Sequence, residues 1–211
     1  MTESTGELYG TGARKMQDHF DARRLADRLE EVTVTDAFDQ PTAAFLTKAT
    51  YFFLATVSKE GFPDVSYKGG RPGFVRVIDP QTLRFPSYDG NGMYRSLGCI
   101  QETGRVAMLF IRQNEKAARI RIHGQAQVLL DSEALSDFDC AEAVVEVKVS
   151  RVFPNCPRYV HDLENGNISE FAPGGDAPPP EPDWKSWDVF SDVLPGSSCL
   201  LYTSDAADEG L

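Results

Sequence analysis

Nowhere does this chain approach the roughly 20 consecutive apolar residues that a membrane-crossing helix needs. Its opening, MTESTGELYGTGARK, has no apolar block of the kind that marks a secretory leader. A membrane partner is therefore not expected, and a cytoplasmic location is. The four cysteines, Cys99, Cys140, Cys156 and Cys199, stand far apart and form no CxxC pair. That spacing speaks against a disulfide framework and against zinc, so reduced thiols and no metal site are expected. Basic residues are scarce at one end. Of 32 acidic residues 11 fall in 162–211, whereas of 21 basic ones only Lys185 does, so 21 acidic and 20 basic residues precede that segment. The net charge of −11 thus belongs to the tail, and the body is near neutral. A nucleic-acid partner is not expected, because polyanions require basic patches.

A chain of 211 residues with 41% hydrophobic content sustains one core with extensions. The first 38 residues are expected to form an N-terminal extension with one helix over 13–31, whose Met16, Phe20, Leu25 and Leu29 fall near one stripe. Residues 39–161 carry the main domain. Asp39 can cap its first short helix, with Pro41 in the first turn. Residues 162–211 form an acidic, Pro/Gly-rich extension. In it Trp184, Trp187, Val189, Phe190, Val193 and Leu194 make an amphipathic cluster, expected to dock on the main domain or on a second subunit with only the last eight or so residues free.

The organising stretch is 51–97. Residues 51–58 are apolar and β-prone, with a polar turn at Lys59, Glu60 and Gly61. Residues 62–68 alternate, with Val65 and Tyr67 on one face and Asp64, Ser66 and Lys68 on the other. Residues 74–78 and 82–88 continue the β pattern around a turn at Asp79 and Pro80. Asp89-Gly90-Asn91-Gly92 then leads into a helix over 91–102, stopped by Thr103 and Gly104. A glycine-rich bend opening a helix is a natural anion site, because free backbone N–H groups and the helix dipole face outward and no Cβ hinders approach. A plain strand-to-helix turn is the competing reading of the same residues.

Further strands follow. Residues 105–112 (RVAMLFIR) are nearly all apolar, as in a strand buried on both faces or at an interface. Residues 118–130 alternate Ile120 and Ile122 with Arg119, Arg121 and His123, and 141–153 alternate Val145, Val147 and Val149 with Glu146, Lys148 and Ser150. Cys99, without a cationic neighbour in sequence, reads as a small buried residue. Arg158, beside two prolines, can project to a cofactor or a subunit partner, or simply end a strand packed by Tyr159.

In their order, FLATVSKEGFPDVSYKGGRPGFVRV, LRFPSYDGNGMYRSLGCI and GRVAMLFI resemble the pyridoxamine 5′-phosphate oxidase-related family of FMN-binding split-barrel proteins, and PNCPRYVH resembles a signature near the end of that domain in an uncharacterised branch. The resemblance implies a mainly β protein with flanking helices, a split β-barrel, dimeric, holding FMN in grooves between subunits. It implies that Lys68 is the phosphate-side lysine and that Pro86 and Ser87 meet the phosphate tail. Asn91, Gly92 and Met93 would begin the helix beside it, and Ser66 and Tyr67 would offer backbone atoms to the ring. It maps Arg119 near the flavin or its tail, with Arg121 as second choice, and gives Arg158 a supporting part.

Two departures stand out. Where oxidases acting on pyridoxamine phosphate begin their lysine motif with arginine, this chain has Pro63, and where they have Arg-Lys at the helix start it has Gly92 and Met93. The resemblance therefore implies an FMN-dependent oxidoreductase, with a small-molecule substrate or an NAD(P)H donor, whose substrate is not pyridoxamine phosphate. No catalytic acid or base is identified. The alternative is a non-catalytic flavin- or haem-binding split barrel, with His123 or His161 as axial candidates. A deazaflavin in place of FMN is a third reading.

Overall fold

Alternation of apolar residues builds the sheet of this protein. The computed structural model describes residues 8–174 and 178–195. It divides into two units, 34–177 and 1–33 with 178–211. Cys199, Gly175 and the residues expected to be free at the end lie outside the described residues.

The larger unit contains seven antiparallel strands: β1 (Tyr51–Val57), β2 (Pro63–Gly69), β3 (Arg76–Asp79), β4 (Thr82–Tyr88), β5 (Arg105–Arg112), β6 (Ala118–Leu129) and β7 (Ala141–Asn155). They form one sheet in the order β2-β1-β5-β6-β7-β4-β3. Among the described residues no ladder joins β2 to β3, so the sheet is not closed. It nevertheless curls strongly. Phe52 on β1 and Phe85 on β4 stand four strands apart in that order, yet their rings meet edge to face at 4.9 Å.

The concave face produced by this curl holds the core. Phe52, Leu54, Leu83, Phe85, Met108, Phe110, Ile122, Val145 and Val147 are buried on it. Two helices plug it. Leu46 comes from α3 (Gln40–Lys48) and Ile100 from α4 (Arg95–Thr103). Asp39 caps α3 by accepting the Thr42 amide at 2.8 Å, with Pro41 in its first turn, and Gly104, in the left-handed conformation at φ 65°, ends α4. Burial of the two aliphatic side chains Leu46 and Ile100 contributes about 3–6 kcal/mol to stability. A smaller cluster of Ala134, Phe138 and Val144 covers the other face near β7, under α5 (Ser132–Ser136).

Within one chain β5 is covered fully on one face only: Val106, Met108 and Phe110 are buried, while Ala107, Leu109 and Ile111 are half-buried. The β6–β7 ladder shifts register between His123 and Gly124. A side chain at Gly124 would run into the Lys148 carbonyl, so the residue at this bulge must lack a Cβ. β7 continues through Pro154 to Asn155, two residues past its expected end.

The smaller unit corrects the single N-terminal helix. It has two, α1 (Thr11–His19) and α2 (Arg23–Thr33), broken where Asp21 takes φ 49°. Met16 and Phe20 are exposed, and Ala26 is the buried residue of α2. Residues 183–190 form two short 3-10 turns. Phe190 is buried against Trp184, whereas Trp187 is 56% exposed in the single chain. This segment is tied to α2: Arg28 donates to the Val189 carbonyl at 2.5 Å and pairs with Asp192 at 3.3 Å.

Candidate functional site

β2 turns its polar side inward. Val65 and Tyr67 are more than 60% exposed, while Asp64, Ser66 and Lys68 are half-buried. The register explains the direction, since Asp64, Ser66 and Lys68 lie opposite Thr56, Leu54 and Phe52, the buried residues of β1. As an edge strand, β2 also leaves one row of backbone N–H and C=O groups unpaired.

Two polar groups on this inner side, Ser66 and Asp64, meet the start of α4. Ser66 Oγ and Ser96 Oγ share a hydrogen bond at 2.9 Å, and Ser96 is buried. Arg95 pairs with Asp64 at 3.5 Å. Lys68 has no carboxylate within ion-pair distance among the described residues. Burial pushes its ammonium below the ordinary lysine value, with the Asp64 charge acting in the opposite sense. A half-buried cation without a counter-charge favours an arriving anion.

The second arm of the site is the end of β4. Pro86 is buried; Ser87, half-buried two residues beyond Phe85, faces the same concave side. The β4–β7 register slips between Ser87 and Tyr88, and the chain leaves the sheet there.

The loop that follows corrects the expected helix start. Asn91, Gly92 and Met93 precede α4 and do not begin it. The Asn91 side chain accepts the Met93 amide at 3.1 Å, closing a local turn that uses one of the amides expected to be free. Gly92 takes φ 73° and Tyr94, the residue before α4, takes φ 46°. No side chain caps α4. Its first-turn amides therefore remain open, four residues later than the motif suggests. An aromatic residue in the left-handed region is strained, and Tyr94 reaches Glu142 with its hydroxyl at 3.1 Å.

The side chains of the remaining candidates lie elsewhere. Tyr67 points away from Lys68, stacked on Tyr51 with ring centroids 5.5 Å apart. Arg119 sits opposite Ile111 and Asn155, on the outer face of the sheet. Its guanidinium donates to the Cys156 carbonyl. Arg158 lies near the same turn, over the Tyr159 ring at 5.8 Å. So Ser66 and Lys68 share the inner face with Ser87, while Arg119 and Tyr67 occupy the outer one. His123 is on that outer face too, edge-on to Phe153 at 5.3 Å, its pKa lowered by burial and by Arg151 and Arg121. His161 Nδ1 accepts the Ser169 amide at 3.2 Å. Among the described residues no group of three metal-ligating side chains occurs, and no helix is long and apolar enough to cross a membrane. Cys99 is buried on α4.

Sequence reading missed the Arg95–Asp64 and Ser66–Ser96 links. One signal existed, since Arg95 and Ser96 follow the glycine-rich bend directly; the alternation of β2 gave none, because its apolar residues Val65 and Tyr67 face outward.

This architecture and site define a class. The model of the pyridoxamine 5′-phosphate oxidase family matches residues 38–156, and the chain belongs to that family. Among solved structures, a candidate pyridoxamine 5′-phosphate oxidase from Lactobacillus delbrueckii is 25% identical, covering 56% of this chain and 95% of that one at a TM-score of 0.45. HupZ of Group A Streptococcus is 20% identical over 56% of this chain and 94% of its own, with a TM-score of 0.44. An FMN-binding protein from Syntrophomonas wolfei is 13% identical, covering 69% and 95% of the two chains at 0.42. No curated protein matches the chain.

Proposed function

We propose that the chain is an FMN-binding split-barrel flavoprotein that works as a homodimer and serves as a flavin-dependent oxidoreductase. The observation that carries the reading is Lys68: a half-buried ammonium without a carboxylate partner among the described residues, inside the region matched by the family. The donor set suits a phosphate monoester. Lys68 supplies one point charge, Ser87 a hydroxyl, and the uncapped first turn of α4 its backbone N–H groups. Ser96 and Arg95 act one step back. They hold Ser66 and Asp64, and so fix the edge strand from which Lys68 projects.

A bound flavin would supply the two-electron redox chemistry. The chain's own contribution is orientation and exclusion of water, and no side chain here is assigned a proton-transfer role. In a dimer, Arg119 on the outer face and Arg158 beyond the end of β7 would be available to the flavin of the second copy, and the exposed Val65 and Tyr67 would be covered. Pro63, Gly92 and Met93 replace three cations of pyridoxamine phosphate oxidases, which supports a substrate without a second phosphate.

Mass spectrometry of the ligand released on denaturation, followed by anaerobic reduction with NADH and NADPH, tests this reading. It predicts the mass of FMN and bleaching of the flavin absorbance by one of the two donors. A deazaflavin mass, or a Soret band, would replace the cofactor. Bound FMN that neither donor reduces would make the protein a carrier.

A further inference from the structure

A cavity of about 720 Å³ opens between α3, the start of β1 and the end of β5. None of the residues assigned above to the flavin lines it. Its volume lies in the range of small-molecule sites. The half-buried Phe45 and Ile111 give it an apolar wall, backed by the fully buried Phe110, and Leu163 closes one side. Leu163 is fixed by its amide, which donates to the Gln113 carbonyl at 3.0 Å, and the neighbouring Gln113 side chain is held by the Tyr51 hydroxyl.

Two cations line this cavity, Lys48 and Arg112. Neither forms an ion pair with a carboxylate among the described residues, although acidic residues outnumber basic ones in this chain. Arg112 is oriented in advance. Its Nε donates to the Lys116 carbonyl at 2.6 Å and its guanidinium lies 5.6 Å from the Phe45 ring centroid. Its terminal nitrogens are left for an incoming group, in the fork geometry that suits a carboxylate. The one acidic residue of the lining, Glu164, is met by Asn114 Nδ2 at 3.4 Å.

We infer that this cavity is a binding site for a small monoanion with an aromatic or otherwise apolar body, its carboxylate on Arg112 and Lys48 and its body on Phe45 and Ile111. The cavity shares no lining residue with the Lys68 and Ser87 region, so variants of one can be tested apart from the other.

Calorimetric titration of the full-length protein with 1-naphthoate and with its uncharged counterpart 1-naphthamide tests it. Naphthoate is expected to saturate one site per chain and to bind about tenfold tighter than naphthamide, the margin expected of a charge-assisted fork. Arg112→Gln should abolish that preference. Ala44→Trp, which fills the cavity from the exposed side of α3, should abolish binding while leaving the far-ultraviolet circular dichroism unchanged. Lys68→Ala with Ser87→Ala should leave naphthoate binding intact. Equal affinity for the two compounds, no saturable binding at millimolar concentration, or undiminished binding by folded Ala44→Trp protein would overturn the assignment.

Discussion

Ser66 on β2 and Ser96 in the first turn of α4 share a hydrogen bond at 2.9 Å, tying the edge of the sheet to the helix that plugs its concave face. The bond is partly buried, so breaking one side strands a hydroxyl. Ser96→Ala should lower the unfolding free energy by about 1 kcal/mol, read from the urea midpoint. Ser66→Ala combined with Ser96→Ala should cost less than the two single changes summed, because no unpaired hydroxyl remains. Strict additivity would mean that the bond does not couple strand and helix.

Lys68 makes stability depend on pH in a definite sense. Its folded pKa lies below the ordinary 10.5 because burial penalises the charge. Below that lowered value both folded and unfolded chains hold the proton, and the burial penalty is fully present. Between the lowered value and 10.5 only the unfolded chain holds it, so stability of the ligand-free protein should rise with pH across that window. Subtracting the curve of Lys68→Met, which lacks the charge, isolates the effect. A flat difference curve between the two proteins would show that Lys68 is not desolvated.

Tyr94 holds φ 46° just before α4. Asparagine tolerates that region far better, so Tyr94→Asn should raise stability by up to about 1 kcal/mol despite loss of the exposed bond to Glu142. A lowered thermal midpoint would locate the value of Tyr94 in its ring and hydroxyl instead of its backbone.

Gly124 lies at the β6–β7 bulge, where an added Cβ would meet the Lys148 carbonyl. Gly124→Ala should cost about 3 kcal/mol, since neither backbone can move without breaking ladder bonds. Chemical denaturation of purified variant protein checks this, and a loss under half that size would mean the bulge can relax.

Strands with strong alternation were legible in the sequence. β4 and β5 begin and end where their patterns do, and Asp39 with Pro41 marked the start of α3. The inward side of β2 was not legible, because Val65 and Tyr67 carry the hydrophobicity yet face outward; register with β1 decides the matter, and register is a non-local property. The start of α4 was misjudged because the Asn91 side chain closes its own turn on the Met93 amide. Arg119 alternates with Ile120 as read, but only the sheet topology reveals that it and Lys68 occupy opposite faces. The cavity beside Arg112 was invisible for the same reason. Phe45, Phe110 and Leu163 are far apart along the chain and meet only in the fold.

Comparing the affinities of ligand-free protein for FMN and for riboflavin, which lacks the phosphate, tests the central claim most directly. If Lys68, Ser87 and the open turn of α4 hold a phosphate, FMN should bind roughly a hundredfold tighter, as two charge-assisted contacts imply. Lys68→Met should remove at least about tenfold of that margin. Equal affinity for FMN and riboflavin in the unaltered protein would contradict the account.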